Sequence, residues 1–307
     1  MACDPFSELL RLTDPSSVVA GGFAAGGRWA LAFPPPGKLK FFAVARGSCF
    51  LLAGGQAPIR LELGDVFLVS ARTAFVLASQ PSVPPRDARR LFTSEVTFAK
   101  LGDGRSHLVI GGHVSLNAST GGVLAEMLPP IIHVRAAAPQ AAALQWLLAQ
   151  LLRERDACLP GVAVASTHLA QLMFLEVLRA HLSTSDELPG GILRAVSDER
   201  IAPALRLLHE NPRRAWQLRE LAKATAMSRT AFAVYFKRVA GIAPLAYLTR
   251  WRMHLARRVL RSESRSISEL ADQLGYASES AFSNAFKRVV GVAPRRYRQA
   301  ISERTRI

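Results

Sequence analysis

Three cysteines in 307 residues (Cys3, Cys49 and Cys158) are too few, too scattered and of the wrong parity for a disulfide framework, and none has metal-ligand spacing. Long apolar runs are missing too. The richest stretch, residues 141–152, is interrupted by Gln145 and Gln150 and falls short of the roughly 20 residues a membrane span requires. The opening MACDPFSELLRL carries Asp4 and Glu8 and no continuous apolar segment, which argues against a signal peptide. Acids are scarce in one region only. Residues 1–200 hold 18 lysines and arginines against 16 acids, whereas residues 201–307 hold 21 against 7. Nearly all of the formal charge of +16 therefore sits on the last third of the chain. Such a density attracts a polyanion through counterion release. These absences point to a cytoplasmic protein without membrane association, long enough for two domains, one of which meets nucleic acid.

What is present in that basic third is a repeat. Residues 228–244 read SRTAFAVYFKRVAGIAP and residues 278–294 read SESAFSNAFKRVVGVAP. The copies share S-x-x-x-F-x-x-x-F-K-R-V-x-G-x-A-P, each behind a Leu-Ala pair (Leu221-Ala222, Leu270-Ala271). In the first copy the pattern predicts a helix over 218–225, a turn at Ala226-Met227 and a second helix capped by Ser228. Phe232, Phe236 and Val239 fall on one face and are expected in the core. Arg229, Thr230, Ala233 and Val234 fall on the other, where a recognition helix would present them to base edges. Gly241 and Pro244 end the helix. In the second copy the turn is Gly275-Tyr276-Ala277, Ser278 is the cap, and Phe282 and Phe286 are core. Glu279, Ser280, Ser283 and Asn284 lie on the outer face, and Ser280, Ser283 and Asn284 are expected at bases. An Asn amide can bond adenine N6 and N7 together. Expected on phosphates are Ser228, Lys237, Arg238, Arg250, Ser278, Lys287, Arg288 and Arg295.

Between the copies, residues 245–261 form one helical pattern. Leu248, Trp251, Leu255 and Val259 make its apolar stripe, and Arg250, Arg257, Arg258 and Arg261 lie mostly off it. Such a rod, roughly 25 Å long, can hold two recognition helices about one DNA turn, roughly 34 Å, apart; its arginines would serve phosphates.

Upstream, residues 38–110 carry short Val-, Phe- and Leu-rich runs separated by Gly and Pro, which predict an all-β sandwich or barrel. Residues 140–154 and 164–181 change to a helical period. The expected organisation is α+β: a β domain with C-terminal helices over 1–183, a linker over 184–201 and an all-α domain of two helix–turn–helix units joined by a long helix over 202–300.

Residues 202–298, with TRWRMHLARRVL in the joining helix and GVAPRRYR at the end, resemble the DNA-binding domain of AraC/XylS-type bacterial transcription regulators. The resemblance implies double-stranded promoter DNA and RNA polymerase as partners. Members of that family often carry Arg at the positions of Val234 and Asn284, so the operator is expected to differ. Residues 45–75, with R-G-x-C at Arg46–Cys49 and a Gly64-Asp65 turn, are similar to the cupin-like sensor barrel of one branch of the family, as is LPPIIHV at 128–134. Enzymatic cupins ligate a metal through histidines on these strands. Here Lys40-Phe41 and Phe75 stand in those neighbourhoods and cannot ligate; His107, His113 and His133 could regroup in space, but lone histidines near apolar strands are expected as structural residues. No catalytic residue, metal or cofactor is expected. The barrel would instead hold a small organic effector or mediate a homodimer. Two alternatives remain at this stage: a cupin-type metal enzyme fused to a DNA-binding domain, and a nonspecific DNA-coating protein.

Overall fold

The computed structural model describes residues 4–13, 17–36, 38–92, 98–115, 128–157, 160–183, 191–262 and 265–305. They divide into two units. One spans residues 15–116 and 124–183; the other holds residues 184–307 and also residues 1–14.

In the first unit the alternation of bulky and small residues builds two sheets facing each other. The larger orders its strands as β11 (Ile131–Val134), β6 (Val66–Val69), β3 (Leu39–Arg46), β10 (His107–Ser115), β1 (Ser17–Ala25) and β9 (Phe98–Leu101). The smaller runs β5 (Ile59–Leu61), β4 (Cys49–Ala53), β7 (Phe75–Ala78), β2 (Ala30–Phe33) and β8 (Arg86–Asp87). Pairing is antiparallel except for β1 with β9 and β2 with β8. Among the described residues no hydrogen bonds close the two sheets into a single ring, so the expected cupin-like barrel is an open, two-sheet form of the α+β class. Its interior is aromatic. Phe33 stacks on Phe75 at 4.7 Å and Phe42 on Phe67 at 5.1 Å, and Trp29 meets Phe23 edge-on. The residues between them in sequence, such as Phe41 and Leu68, are buried on the opposite side of the larger sheet, following the two-residue period of a strand.

Two helices follow, α2 (Ala141–Ala157) and α3 (Val162–Leu182). They pack on each other, and α3 lies against β1, β6, β10 and β11. Their leucines serve the core: Leu144, Leu147, Leu148 and Leu151 of α2 and Leu178 of α3 are buried. By length and composition α3 is apolar enough to cross a membrane, unlike any stretch expected from the sequence. Its buried Met173, Phe174 and Val177 reflect its place against the sheet.

The second unit is helical and begins earlier than expected. Residues 184–190 of the anticipated linker lie outside the described residues, but α4 (Ile192–Ser197) is a helix with Leu193, Ala195 and Val196 buried. α1 (Pro5–Thr13), placed by sequence with the β domain, belongs here too. Its Leu9 is buried, and the helix packs against α4 and α5 (Ala202–Glu210). Short amphipathic helices such as these are placed by the surface that buries them rather than by local propensity.

The repeat folds as two helix–turn–helix pairs, α6 (Leu218–Ala224) with α7 (Arg229–Ala240), and α9 (Ile267–Gln273) with α10 (Glu279–Val290). α8 (Pro244–Ser262) joins them and α11 (Pro294–Thr305) closes the chain. The joining helix has two buried halves rather than one stripe. Tyr247, Leu248 and Trp251 enter the first core with Phe232, Phe236 and Val239. Met253, Ala256, Val259 and Leu260 enter the second with Phe282 and Phe286.

Candidate nucleic-acid interface

Each recognition helix is aimed by its cap. Ser228 Oγ accepts from the Ala231 amide at 3.2 Å, and Ser278 Oγ accepts from the Ala281 amide at 3.1 Å. Both helices stop at a left-handed glycine, Gly241 or Gly291. Between cap and stop, the phenylalanines are fully buried. That turns the other face outward. Arg229, Thr230 and Val234 of α7 and Ser280 and Asn284 of α10 are exposed, while Ala233 and Ser283 are half-buried. Val234 is 66 % exposed.

The residues expected on phosphates are all exposed, but they do not behave alike. Lys237, Arg250, Lys287 and Arg288 stand at the surface. Arg238 lies over the ring of Tyr235 at 4.8 Å, with Arg200 at 4.4 Å from the same centroid, and the Tyr235 hydroxyl donates to Asp198 at 2.9 Å. Arg295 Nη2 donates to Glu279 Oε1 at 2.9 Å. Arg257 of the joining helix likewise turns to a protein group, donating to the Tyr297 hydroxyl at 3.2 Å.

A brace without any local sequence signal joins the two pairs. Arg252 Nε donates to the Pro212 carbonyl at 2.7 Å and its Nη2 to the Arg214 carbonyl at 3.1 Å, holding the loop after α5. From that loop Arg213 bonds Asp272 of α9 at 3.0 Å. Gly275, with φ +75°, lies so close that a Cβ there would fall 1.9 Å from the Arg213 carbonyl oxygen. Gly275 must therefore be glycine, because the loop after α5 presses on it. Beneath the brace, His209 is buried, stacks on Trp251 at 3.7 Å and shares a 2.8 Å hydrogen bond with the Tyr247 hydroxyl. Burial pushes its pKa down to about 3.

In the β unit, the histidines that could have regrouped around a metal are separately engaged. His107 accepts from Trp29 Nε1 at 3.2 Å, and His133 Nε2 lies 2.8 Å from Asp65 Oδ2. His113 stands on β10 opposite Lys40 of β3. Burial, with Lys38 and Lys40 nearby, lowers its pKa. Phe41 and Phe75 are buried, and Lys40 lies over the Phe33 ring at 5.6 Å, so these positions pack rather than ligate. No group of three His, Cys, Asp or Glu that could hold a metal occurs among the described residues. Asp65 organises the Gly64-Asp65 turn. Buried, it accepts from the Ala136 amide at 2.8 Å and the Glu62 amide at 3.1 Å as well as meeting His133. Burial, reinforced by the Asp65 charge, pushes the Cys49 thiol up to about 12, far from a nucleophile's range. A cleft of about 710 Å³ opens along the ends of β2, β4 and β7. Phe33, Leu52, Phe75 and Val76 form its apolar part and Gln56, Asp87 and Arg89 its polar part.

Comparison with known proteins agrees with this division of labour. Residues 4–183 match a cupin family and residues 221–300 a helix-turn-helix domain family. A putative AraC-like transcription regulator of Streptomyces antibioticus is 39 % identical over 279 residues, covering 90 % of this chain and 92 % of its own. One of Streptomyces lividans has the same identity and coverage. Among solved structures, the DNA-binding domain of AdpA, crystallised with a target DNA, is 30 % identical over 35 % of this chain and 96 % of that one, with a TM-score of 0.34. Paired helix–turn–helix units behind a cupin-like domain, at this level of identity over nearly the whole length, make the chain a member of the AraC-type family of DNA-binding transcription regulators.

Proposed function

We propose that α7 and α10 enter two successive major grooves of promoter DNA. Arg229, Thr230, Ala233 and Val234 would face bases in one groove, and Ser280, Ser283 and Asn284 in the other. One observation carries this reading: the two copies keep the capping serine, the two buried phenylalanines and the terminal glycine, and differ at the outward positions Arg229/Glu279, Thr230/Ser280, Ala233/Ser283 and Val234/Asn284. Shared residues hold the helices, and unshared ones select the sequence. Lys237, Arg238, Arg250, Lys287 and Arg288, with the hydroxyls of Ser228 and Ser278, would position the protein on phosphates. The contrast is testable by selection from a random duplex pool. Asn284→Ala should relax preference at one base position. Lys287→Ala should weaken binding to all sequences alike and lower the salt slope by roughly 0.9. Unchanged base preferences in the Asn284 variant would remove it from the readers.

The β unit would act without catalysis, as the sensor of a cytoplasmic regulator. Its cleft beside Phe33 and Phe75 offers an apolar wall with Asp87 and Arg89 at the rim, the composition of a small-molecule site, and would take a small organic effector. The exposed Trp146 of α2 and Val164 and Leu172 of α3 would mediate a homodimer. RNA polymerase would be the partner once the promoter is occupied.

A further inference from the structure

The two recognition helices carry opposite charges at their first residue. Arg229 opens α7 and Glu279 opens α10 at the equivalent place in the repeat. Each follows a capping serine, so each leaves the helix from the turn that a recognition helix presents to base edges. The supporting residue changes in step. Arg295, the second residue of α11, holds Glu279 through the 2.9 Å ion pair. The equivalent place after α7 is Leu245, apolar and exposed, and among the described residues Arg229 has no acid beside it.

A carboxylate at a DNA-facing helix start is opposed by phosphate charge, so it needs a compensating interaction. Two are visible: the positive end of the α10 dipole and the Arg295 guanidinium. Both steady the side chain, and Glu279 Oε2 is left as an acceptor. The bases differ in what they offer such an acceptor in the major groove. Guanine shows only acceptors there, and thymine an acceptor and a methyl group. Adenine sets its N7 acceptor beside its amino group, whereas cytosine offers an amino donor alone. We propose that Glu279 reads a cytosine through its N4 amino group, with Arg295 as the positioning residue. Arg229, at the same place in the first copy, suits guanine. The two units therefore ask for complementary bases at equivalent positions of their half-sites. This rests on the docking of α7 and α10 given above.

The full-length protein and its variants are compared by selection from a random duplex pool, with Asn284→Ala as a separate report that α10 lies in the groove. Wild type should enrich one cytosine in the half-site under α10, and Glu279→Ala should lose that preference by roughly tenfold. Glu279→Gln keeps the shape but adds an amide donor, so the preferred base should move from cytosine to adenine. Arg295→Ala should blunt the cytosine preference without replacing it by another base, which a role in folding alone would not do. If Glu279→Ala and Glu279→Gln keep the wild-type preferences while Asn284→Ala changes them, Glu279 is not a reader although the docking stands. If all three leave the preferences unchanged, both ideas fall together.

Discussion

Replacing Asp65 by alanine tests whether one buried carboxylate holds the β unit's turn, its last strand and the chain leading to α2. Three groups lose their acceptor: the Ala136 amide at 2.8 Å, His133 Nε2 at 2.8 Å and the Glu62 amide at 3.1 Å. Glu62 is exposed and water can replace the carboxylate there. Ala136 and His133 are half-buried, and hydrogen bonds to a charged acceptor contribute about 1.5–3 kcal/mol each. Relief of the desolvated charge offsets part of the loss, leaving an expected cost of about 3 kcal/mol for Asp65→Ala. Asp65→Asn keeps one carbonyl oxygen for Ala136 and a polar amide beside His133 Nε2, and should cost about half as much. Urea unfolding followed by fluorescence of Trp29 and Trp146, both in this unit, measures the difference. A loss below about 1 kcal/mol in Asp65→Ala would refute the reasoning, as would an asparagine variant no better than alanine.

Two further outcomes follow from the helical unit. Gly275→Ala puts a Cβ 1.9 Å from the Arg213 carbonyl at a φ of +75°, so the loop after α5 must move. Binding to a site with both half-sites should fall at least tenfold, with little loss on a duplex holding one; equal loss on both duplexes would show that the brace does not set spacing. His209 supplies a pH test. Its folded pKa lies near 3, below the ordinary 6.5, because burial disfavours the charged ring. The stability this represents, on the order of 4 kcal/mol, is present above pH 6.5 and lost as pH falls toward 3. Fluorescence of Trp251, stacked on His209, should report progressive destabilisation across that window. Stability flat between pH 7 and 4 would contradict it.

Much of the repeat was legible because its determinants are local. Serine caps, the four-residue spacing of Phe232 and Phe236, and the terminal glycines act within a few residues of themselves, and the structure keeps each in its expected role. The strand-rich region was legible as a sandwich or barrel but not in its strand order, because pairing of β1 with β10 joins residues far apart in sequence. α1 and α4 escaped notice since short helices are set by what buries them. The brace through Arg252 and Gly275, and the pairing of Arg295 with Glu279, likewise join residues remote in the chain. They were invisible for the same reason: a charged side chain gives no hint in sequence whether it will meet a phosphate or a neighbouring carboxylate.

The membership of α1 in the helical unit has a consequence for how the chain is tethered. The path starts in that unit, leaves for the β unit after α1 and returns before α4. Among the described residues the β unit therefore lies between two stretches of the helical unit, not as a bead on one string. A chain that leaves a unit and returns to it closes a loop, and closing it costs entropy when that unit folds. A fragment cut at residue 191 to isolate the DNA-binding part would lose α1 and uncover the surface that Leu9 occupies. Dissection that adds residues 4–13 back, as a separate peptide or a fusion ahead of residue 191, should restore the stability that the simple truncation loses.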